Sequence, residues 1–504
     1  MSPSVADHAQ LQLRGNPADA PWIIQKFGGT SLGKFAQGIA EEIVKPGTHH
    51  HRIAIVCSAL STGTKAEGTT SRLLRAAKAA VKPPSTEHEE IVAALSRDHI
   101  AAGETLIRDA ALLEGYKASV EAECARARSF LCAARVLDEI SPKTRDIIIG
   151  AGEKLSCLFM TTLLQDRGVK AEYVNLENII HPASTSGTVT QAFYDDVAVA
   201  VAERVLECED RVPVVTGFFG TVPGSLLAAV GRGYTDLCAA LLAVGIKAQE
   251  LQVWKEVDGI FTADPRKVPQ AALIPVITPE ETAELTYWGA EVIHPFTMEQ
   301  VIAAKIPIRV KNVTNPGGHG TVIFPADQEP LEGRVPGTPN GLKPSGKRPT
   351  AVTTKADITI INVHSNRKNV SHGFLAGIFS TLDFHQLVVD LISTSEVHVS
   401  MALHTDTSAR QTAVQLAAKE LERWGTVDIS RGLSIVAVVG RHMKRMVGVA
   451  GRMFQTLADA SVNIEMISQG ANEINISCVV KEKDALKAMT ILHTTLFLYS
   501  EVEI

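Results

Sequence analysis

The C-terminal third of this chain repeats itself, and the repeat narrows the possible folds more than any other feature. At a constant offset of 75 residues with no gap, Ile360 matches Ile435, Gly373 matches Gly448, Phe379 matches Phe454, and Thr381-Leu382 match Thr456-Leu457. Ile392-Ser393 match Ile467-Ser468, and the acids Asp390 and Glu465 coincide. Each copy predicts strand, helix, strand, strand, helix, drawn in the first copy at 358–364, 372–384, 387–393, 396–404 and 409–424. A repeated register means a repeated supersecondary unit, and two units are too few for a solenoid. Two βαββα modules of ferredoxin-like type are expected, over 351–430 and 431–504, as a paired small-ligand-binding region or alternatively an inert dimerisation element.

Upstream of the repeat, prolines 325, 330, 336, 339, 344 and 349 stand among glycines and polar residues, the composition of a linker, drawn at 326–350. At 504 residues the chain exceeds the roughly 250–300 at which single cores stop growing, so more than one domain is required. Residues 20–325 alternate Ala-rich helical stretches with apolar runs at 53–57, 146–149, 212–216, 250–254 and 308–313, read as strands buried on both faces. That alternation predicts an α/β domain, a three-layer αβα sandwich around a largely parallel sheet.

Composition excludes several classes. The net charge of −6 argues against broad electrostatic capture of nucleic acid or an anionic membrane. Seven scattered cysteines without a C-x-x-C pair suit reduced thiols. The first twenty residues lack an apolar signal core, and no run of about 18 apolar residues is seen, so a cytoplasmic protein is expected.

Chemistry concentrates where strands end. Lys26-Phe27-Gly28-Gly29-Thr30-Ser31 places two glycines and two hydroxyls between a strand and an expected helix start. Glycine lets backbone N–H groups close on an anion at a helix N-terminus, which makes a phosphate cradle; a capped tight turn would look the same. Gly28 to Lys34 also approaches a P-loop, but Phe35 stands where the magnesium-binding hydroxyl belongs. Gly231-Arg232-Gly233-Tyr234-Thr235-Asp236 begins like a dinucleotide fingerprint and has Asp236 at the third glycine position, against nicotinamide binding.

Taken in order, Lys26–Ser31, Cys57–Lys65, Gly231–Asp236 and Trp254–Arg266, with Gly152-Glu153 and Glu291-Val292-Ile293-His294-Pro295, resemble the signature blocks of aspartate kinases of the amino acid kinase family. The resemblance runs from about residue 22 to the end, where the repeat resembles that family's paired ACT domains. It implies ATP-dependent phosphorylation of aspartate on its side-chain carboxylate, with Mg2+ arriving on the nucleotide and no dedicated metal cage. Lys26 then supplies charge to the transferring phosphoryl group and Asp236 orients the lysine and the reacting carboxylate. Arg232 offers a bidentate fork for a substrate carboxylate, and by similarity Ser58, Thr64, Glu153 and Phe218 complete the site, with Glu153 facing the ammonium. Gly28, Gly29, Thr30 and Ser31, with Lys255, Glu256, Phe261 and Arg266, are expected around ATP. Glu291 departs from the family, in which many members carry lysine there, and Lys255 is the candidate to replace that contact. His294 is read as a structural residue.

An amino-acid effector needs an acid for its ammonium and backbone N–H groups for its carboxylate. The first repeat offers Asp390, the Gly373 turn, and Thr394, Ser395 and Glu396. Threonine is the expected effector, ahead of lysine, because residues 254–259 and 291–298 resemble the fungal branch. ACT pairing implies a homo-oligomer. Two other readings compete: a kinase of the same fold acting on another amino acid or a carbamate, and a catalytically silent amino-acid sensor. A homoserine dehydrogenase, which bifunctional relatives carry after the tail, is not expected.

Overall fold

The computed structural model describes residues 13–498 except 62, 64–66, 83–84, 181–189, 223–224, 227–232, 290–292, 324–347, 366–372, 396, 442, 444–445 and 471–473. The chain divides into two units, one of residues 1–259 and 293–340, the other of 260–292 and 341–504. The segment 260–292, expected within the catalytic domain, therefore packs with the repeat.

In the first unit, the strands β1 (Trp22–Phe27), β2 (Arg52–Cys57), β3 (Ala171–Val174), β4 (Val212–Thr216), β5 (Glu250–Lys255), β6 (Ile308–Asn312) and β7 (Thr321–Ile323) lie in the order β3-β4-β2-β1-β5-β6-β7. All neighbours are parallel except β6 and β7. The central strands are buried on both faces, as their uninterrupted Ile and Val content requires. Parallel strands direct their carboxyl ends to one edge, so Phe27, Cys57, Thr216 and Lys255, which end β1, β2, β4 and β5, share the edge where open α/β sheets bind ligands.

The predicted strand at 146–149 is instead part of the helix Pro142–Asp166. A four-residue apolar run cannot be told from a turn of buried helix. Here Ser141 caps the N-terminus by accepting from Thr144 N, with Pro142 in the first turn. This helix is also long and apolar enough by composition to cross a membrane, but most of it is buried in the unit.

The second unit carries β8 (Ala351–Ser365), β9 (Val389–Thr394), β10 (His398–His404), β11 (Gly425–Val439), β12 (Met466–Ser468) and β13 (Asn475–Lys481) in one sheet, ordered β9-β10-β8-β11-β13-β12. The repeat is real: Gly373 and Gly448 sit at matching helix starts with φ of 92° and 84°. Its offset is not constant, however. Ile360 pairs with Ala402 and Ile435 with Val479, so the copies are 75 apart in the first strand and 77 apart in the third. Two extra residues enter the second copy after Ser468, at the turn between its second and third strands.

The two modules also exchange a strand. Residues 358–364 of β8 pair with β10, while 351–355 pair with the far half of β11, 435–439. Residues 425–430 in turn complete the first module beside 360–365. The first module is thus 358–430, and the second, begun at 433, takes its fourth strand from 351–355. Val352 accordingly lies in the second module's core with Val436, Val438 and Ile476. Asp357 and Gly432, both at positive φ (58° and 68°), mark where each long strand passes from one module to the other.

Candidate active site

The end of β1 sets the geometry. Gly28 is still extended (φ −74°, ψ 159°) and the helix α1 (Gly29–Gly38) begins at the next residue. A P-loop would keep its backbone open through Gly33; here those residues are helical, which disposes of that reading. A Cβ on Gly29 would stand 2.0 Å from the Ala59 carbonyl oxygen, so no side chain fits. Ser61 N donates to Gly29 O at 3.0 Å and Ser58 N to Phe27 O at 3.2 Å, holding the loop after β2 against the cradle. Thr30 and Ser31 lie in the first turn of α1, and Ser31 Oγ donates to Glu256 Oε1 at 2.6 Å. Two residues expected around the nucleotide are thereby brought together, with the Ser31 hydroxyl already engaged.

Lys26 Nζ lies 2.8 Å from Asp236 Oδ1, with only 12% and 18% of the two side chains exposed. A Cβ on Gly28 would be 4.0 Å from that ammonium, so the charge hangs over bare backbone. Asp236 sits in the first turn of the helix α2 (Tyr234–Gly245), where the helix dipole favours an anion. The ion pair arises because β1 and this helix deliver opposite charges to one edge of the sheet.

Glu153 is buried. Thr235 Oγ1 donates to its Oε1 at 2.6 Å and lies 3.4 Å from Ser58 Oγ. Oε2 is buried with no partner among the described residues. Burial pushes the carboxyl up to about 8, against the lowering effect of hydrogen bonds from Thr235 and Tyr234, the Lys26 charge and the Phe218 backbone. Phe218 is itself buried and presses on Gly150, where a Cβ would meet its ring at 2.5 Å. The structure thus brings Lys26, Asp236, Ser58, Glu153 and Phe218 together in one cluster.

Other expected site residues fall elsewhere. Thr64, Arg232, Glu291 and Glu396 lie outside the described residues. Further upstream, Ser225 Oγ and Leu226 N donate to the Asp146 carboxylate at 2.8 and 2.6 Å. Lys255 ends β5, half-buried. Phe261 and Arg266 belong to the second unit, where Phe261 bridges to Leu273 and Arg266 contacts Asp264 at 3.0 Å. His294 stands at the N-cap position of the helix Pro295–Ala303, with no capping hydrogen bond from its side chain. Thr235 and Tyr234, which hold Glu153, were not singled out, although both lie inside the Gly231–Asp236 block. Nor was Lys154, buried beside Glu153 in the helix and paired with Glu177 at 2.7 Å and Glu123 at 3.4 Å. A lysine in an apolar helix is the signal that could have found it.

Comparison with known proteins bears on the family rather than on individual residues. Residues 21–312 match the model of the amino acid kinase family, and 436–496 match an ACT domain. The aspartokinase of Schizosaccharomyces pombe is 52% identical over 488 residues, covering 95% of this chain and 94% of the relative. The chain belongs to the aspartokinase family. The aspartokinase of Saccharomyces cerevisiae is also 52% identical, over 500 residues, with 96% of this chain and 94% of the relative covered. Among solved structures, E. coli aspartokinase III in complex with aspartate and ADP matches at a TM-score of 0.71 and 27% identity, covering 94% of this chain and 99% of that one. The same enzyme with lysine and aspartate matches at 0.73. As an aspartokinase, this chain is an aspartate kinase with a C-terminal ACT region.

The first repeat's expected effector residues are partly accounted for. Gly373 opens the helix Phe374–Phe384 in the left-handed region, and Thr394 ends β9, exposed. Ser395 Oγ accepts from His398 N at 3.2 Å. Asp390 is not open, because Lys355 Nζ lies 2.8 Å from its Oδ1.

Proposed function

We propose that the Lys26 cluster transfers the γ-phosphoryl group of ATP to the β-carboxylate of L-aspartate, giving 4-phospho-L-aspartate and ADP. The observation that carries this is the Lys26–Asp236 pair beside the bare Gly28 backbone, one strand end away from a buried carboxylate with a free oxygen. A β-carboxylate oxygen forms a bond to the γ-phosphorus as the bond from that phosphorus to the bridging oxygen breaks. The nucleophile is already ionised at neutral pH, so no general base is needed. Lys26 offsets charge on the equatorial phosphoryl oxygens, and Asp236 holds the ammonium in place. Glu153 Oε2 receives the substrate's ammonium, Arg232 its α-carboxylate, and Ser58, Thr64 and Phe218 shape the pocket. Mg2+ is assigned to the phosphate oxygens and water, because it dehydrates reluctantly and usually arrives on the nucleotide. Trapping the acyl phosphate with hydroxylamine tests the reaction. ATP-dependent hydroxamate from glutamate or N-acetylglutamate, but not aspartate, would overturn it.

The ACT region is proposed to bind threonine and inhibit this entry step to threonine, methionine and isoleucine, in a cytoplasmic homo-oligomer joined through that region. The fungal relatives and the repeat support the placement; the lysine complex of E. coli aspartokinase III makes lysine the comparison ligand. Coupling is expected at about 1–3 kcal/mol and must be reciprocal with aspartate. Aspartate saturation with and without threonine, in the wild type and in Ser395→Ala and Asp390→Ala, tests it. Equal responses in all three would move the effector site elsewhere.

A further inference from the structure

Asp390 sits at an irregularity of its strand. Val389 pairs with Leu403 and Leu391 with Ala402, so Asp390 is the extra residue of a bulge, which re-aims a side chain. It turns to Lys355, whose Nζ lies 2.8 Å from Oδ1. Tyr287 completes a cage: its hydroxyl donates to the same oxygen at 3.3 Å, and the Lys355 ammonium lies 4.9 Å from its ring centroid. A carboxylate and an aromatic face around a primary ammonium are the elements by which proteins recognise amines. Asp390 Oδ2 is buried and has no partner among the described residues, so the carboxylate can take a second ligand only if something moves.

The second copy shows that this arrangement is not a requirement of the module. At the 75-residue offset Lys355 corresponds to Ser430 and Asp390 to Glu465. Glu465 is exposed and accepts from Asn463 Nδ2 at 3.1 Å. Lysine is therefore particular to the copy in which an effector site is proposed.

We infer that Lys355 is a built-in stand-in for the effector's ammonium: it occupies Asp390 in the empty state and is displaced when the amino acid binds. The inference rests on the effector reading above. Two ammonium groups on one buried carboxylate repel, so ligand and Lys355 compete. Displacement also reaches two other elements. Lys355 is the last residue of the exchanged strand 351–355, paired with Ile435, and Tyr287 ends the helix Pro279–Tyr287. That helix lies in the segment 260–292, which also carries Phe261 and Arg266. Binding at Asp390 would thus loosen both the exchanged strand and the helix that ends at Tyr287.

The full-length enzyme tests this with L-threonine as probe and L-lysine as comparison. Lys355→Met, or Lys355→Gln if the first does not fold, should lower the threonine concentration for half-inhibition by about tenfold, because the competitor is gone. In the wild type, mass spectrometry should show Lys355 acetylating several-fold faster with a water-soluble acylating reagent when threonine is saturating. A wild type that responds to threonine, with unchanged or weakened sensitivity in the variant, or with Lys355 equally or better protected, overturns the stand-in alone. A wild type that answers to neither amino acid overturns the effector reading and this inference with it.

Discussion

If Glu153 receives the substrate's ammonium, aspartate binding must be linked to a proton. Burial raises its carboxyl to about 8, so at pH 7 the free enzyme holds this group mostly protonated. An arriving ammonium favours the carboxylate, and the proton leaves. At pH 7 only about one molecule in ten carries the competent carboxylate, so the apparent affinity is reduced about tenfold from its high-pH limit, and by about thirtyfold at pH 6.5. Affinity for aspartate should therefore rise with pH from 6.5 and level off above about 8.5. Isothermal titration in two buffers of different ionisation enthalpy should show nearly one proton released per aspartate bound at pH 7. Glu153→Gln should bind more weakly and lose both the slope and the proton. The stability of the folded protein runs the opposite way. Its carboxyl is raised above the ordinary value of 4.5, so the native state binds the extra proton between those limits, and stability falls as pH rises through that window. Saturating aspartate should recover part of the loss. A flat affinity profile with no proton release would show that Glu153 does not meet the ammonium.

Other substitutions address the remaining parts. Lys26→Ala should lower kcat by about 10²–10³-fold with little change in the KM for aspartate, because its charge acts on the transition state; an unchanged kcat in steady-state assays would remove it from the mechanism. Arg232→Lys should weaken aspartate use and spare ATP, and Arg232→Ala should cost about 2–5 kcal/mol of substrate binding; equal loss for both ligands by titration would reassign it. Gly29→Ala puts a methyl group 2.0 Å from the Ala59 carbonyl oxygen and should destabilise by about 1–3 kcal/mol, visible as a lower Tm; an unshifted Tm would mean that the loop after β2 yields freely.

The sequence made legible those features whose cause is local or periodic. Continuous apolar runs announced β2, β4, β5 and β6, and the glycines after Lys26 announced the start of α1. The run at 146–149 misled because four apolar residues carry no period, and the cap at Ser141 outweighed them. The repeat was visible because two similar chains face the same packing problem. Its strand exchange was not, since 351–355 and 358–364 form one uninterrupted strand and only pairing partners distinguish them. The Lys26, Asp236 and Glu153 cluster was named from ordered blocks, but Thr235 and Tyr234 went unread because their work is to hold another side chain.

The exchanged strand changes how regulation can be dissected. Cutting the chain near residue 345 looks like a clean removal of the regulatory tail, yet 260–292 depends on what would be lost. Thr262 O accepts from Val352 N at 2.8 Å, and Thr262 Oγ1 meets His493 Nε2 at 2.8 Å. Glu281 Oε1 accepts from Thr350 Oγ1 at 2.6 Å and Arg441 N at 2.7 Å, while Ala263 and Val268 are buried in the second module's core. Stripped of these partners, the segment would expose apolar surface and several unpaired polar groups, each costing about 1–3 kcal/mol where it stays buried. The shortened chain should therefore lose thermal stability as well as threonine sensitivity, whereas Asp390→Ala should lose sensitivity alone. An unlowered Tm in the shortened chain would mean that 260–292 keeps its conformation without the modules.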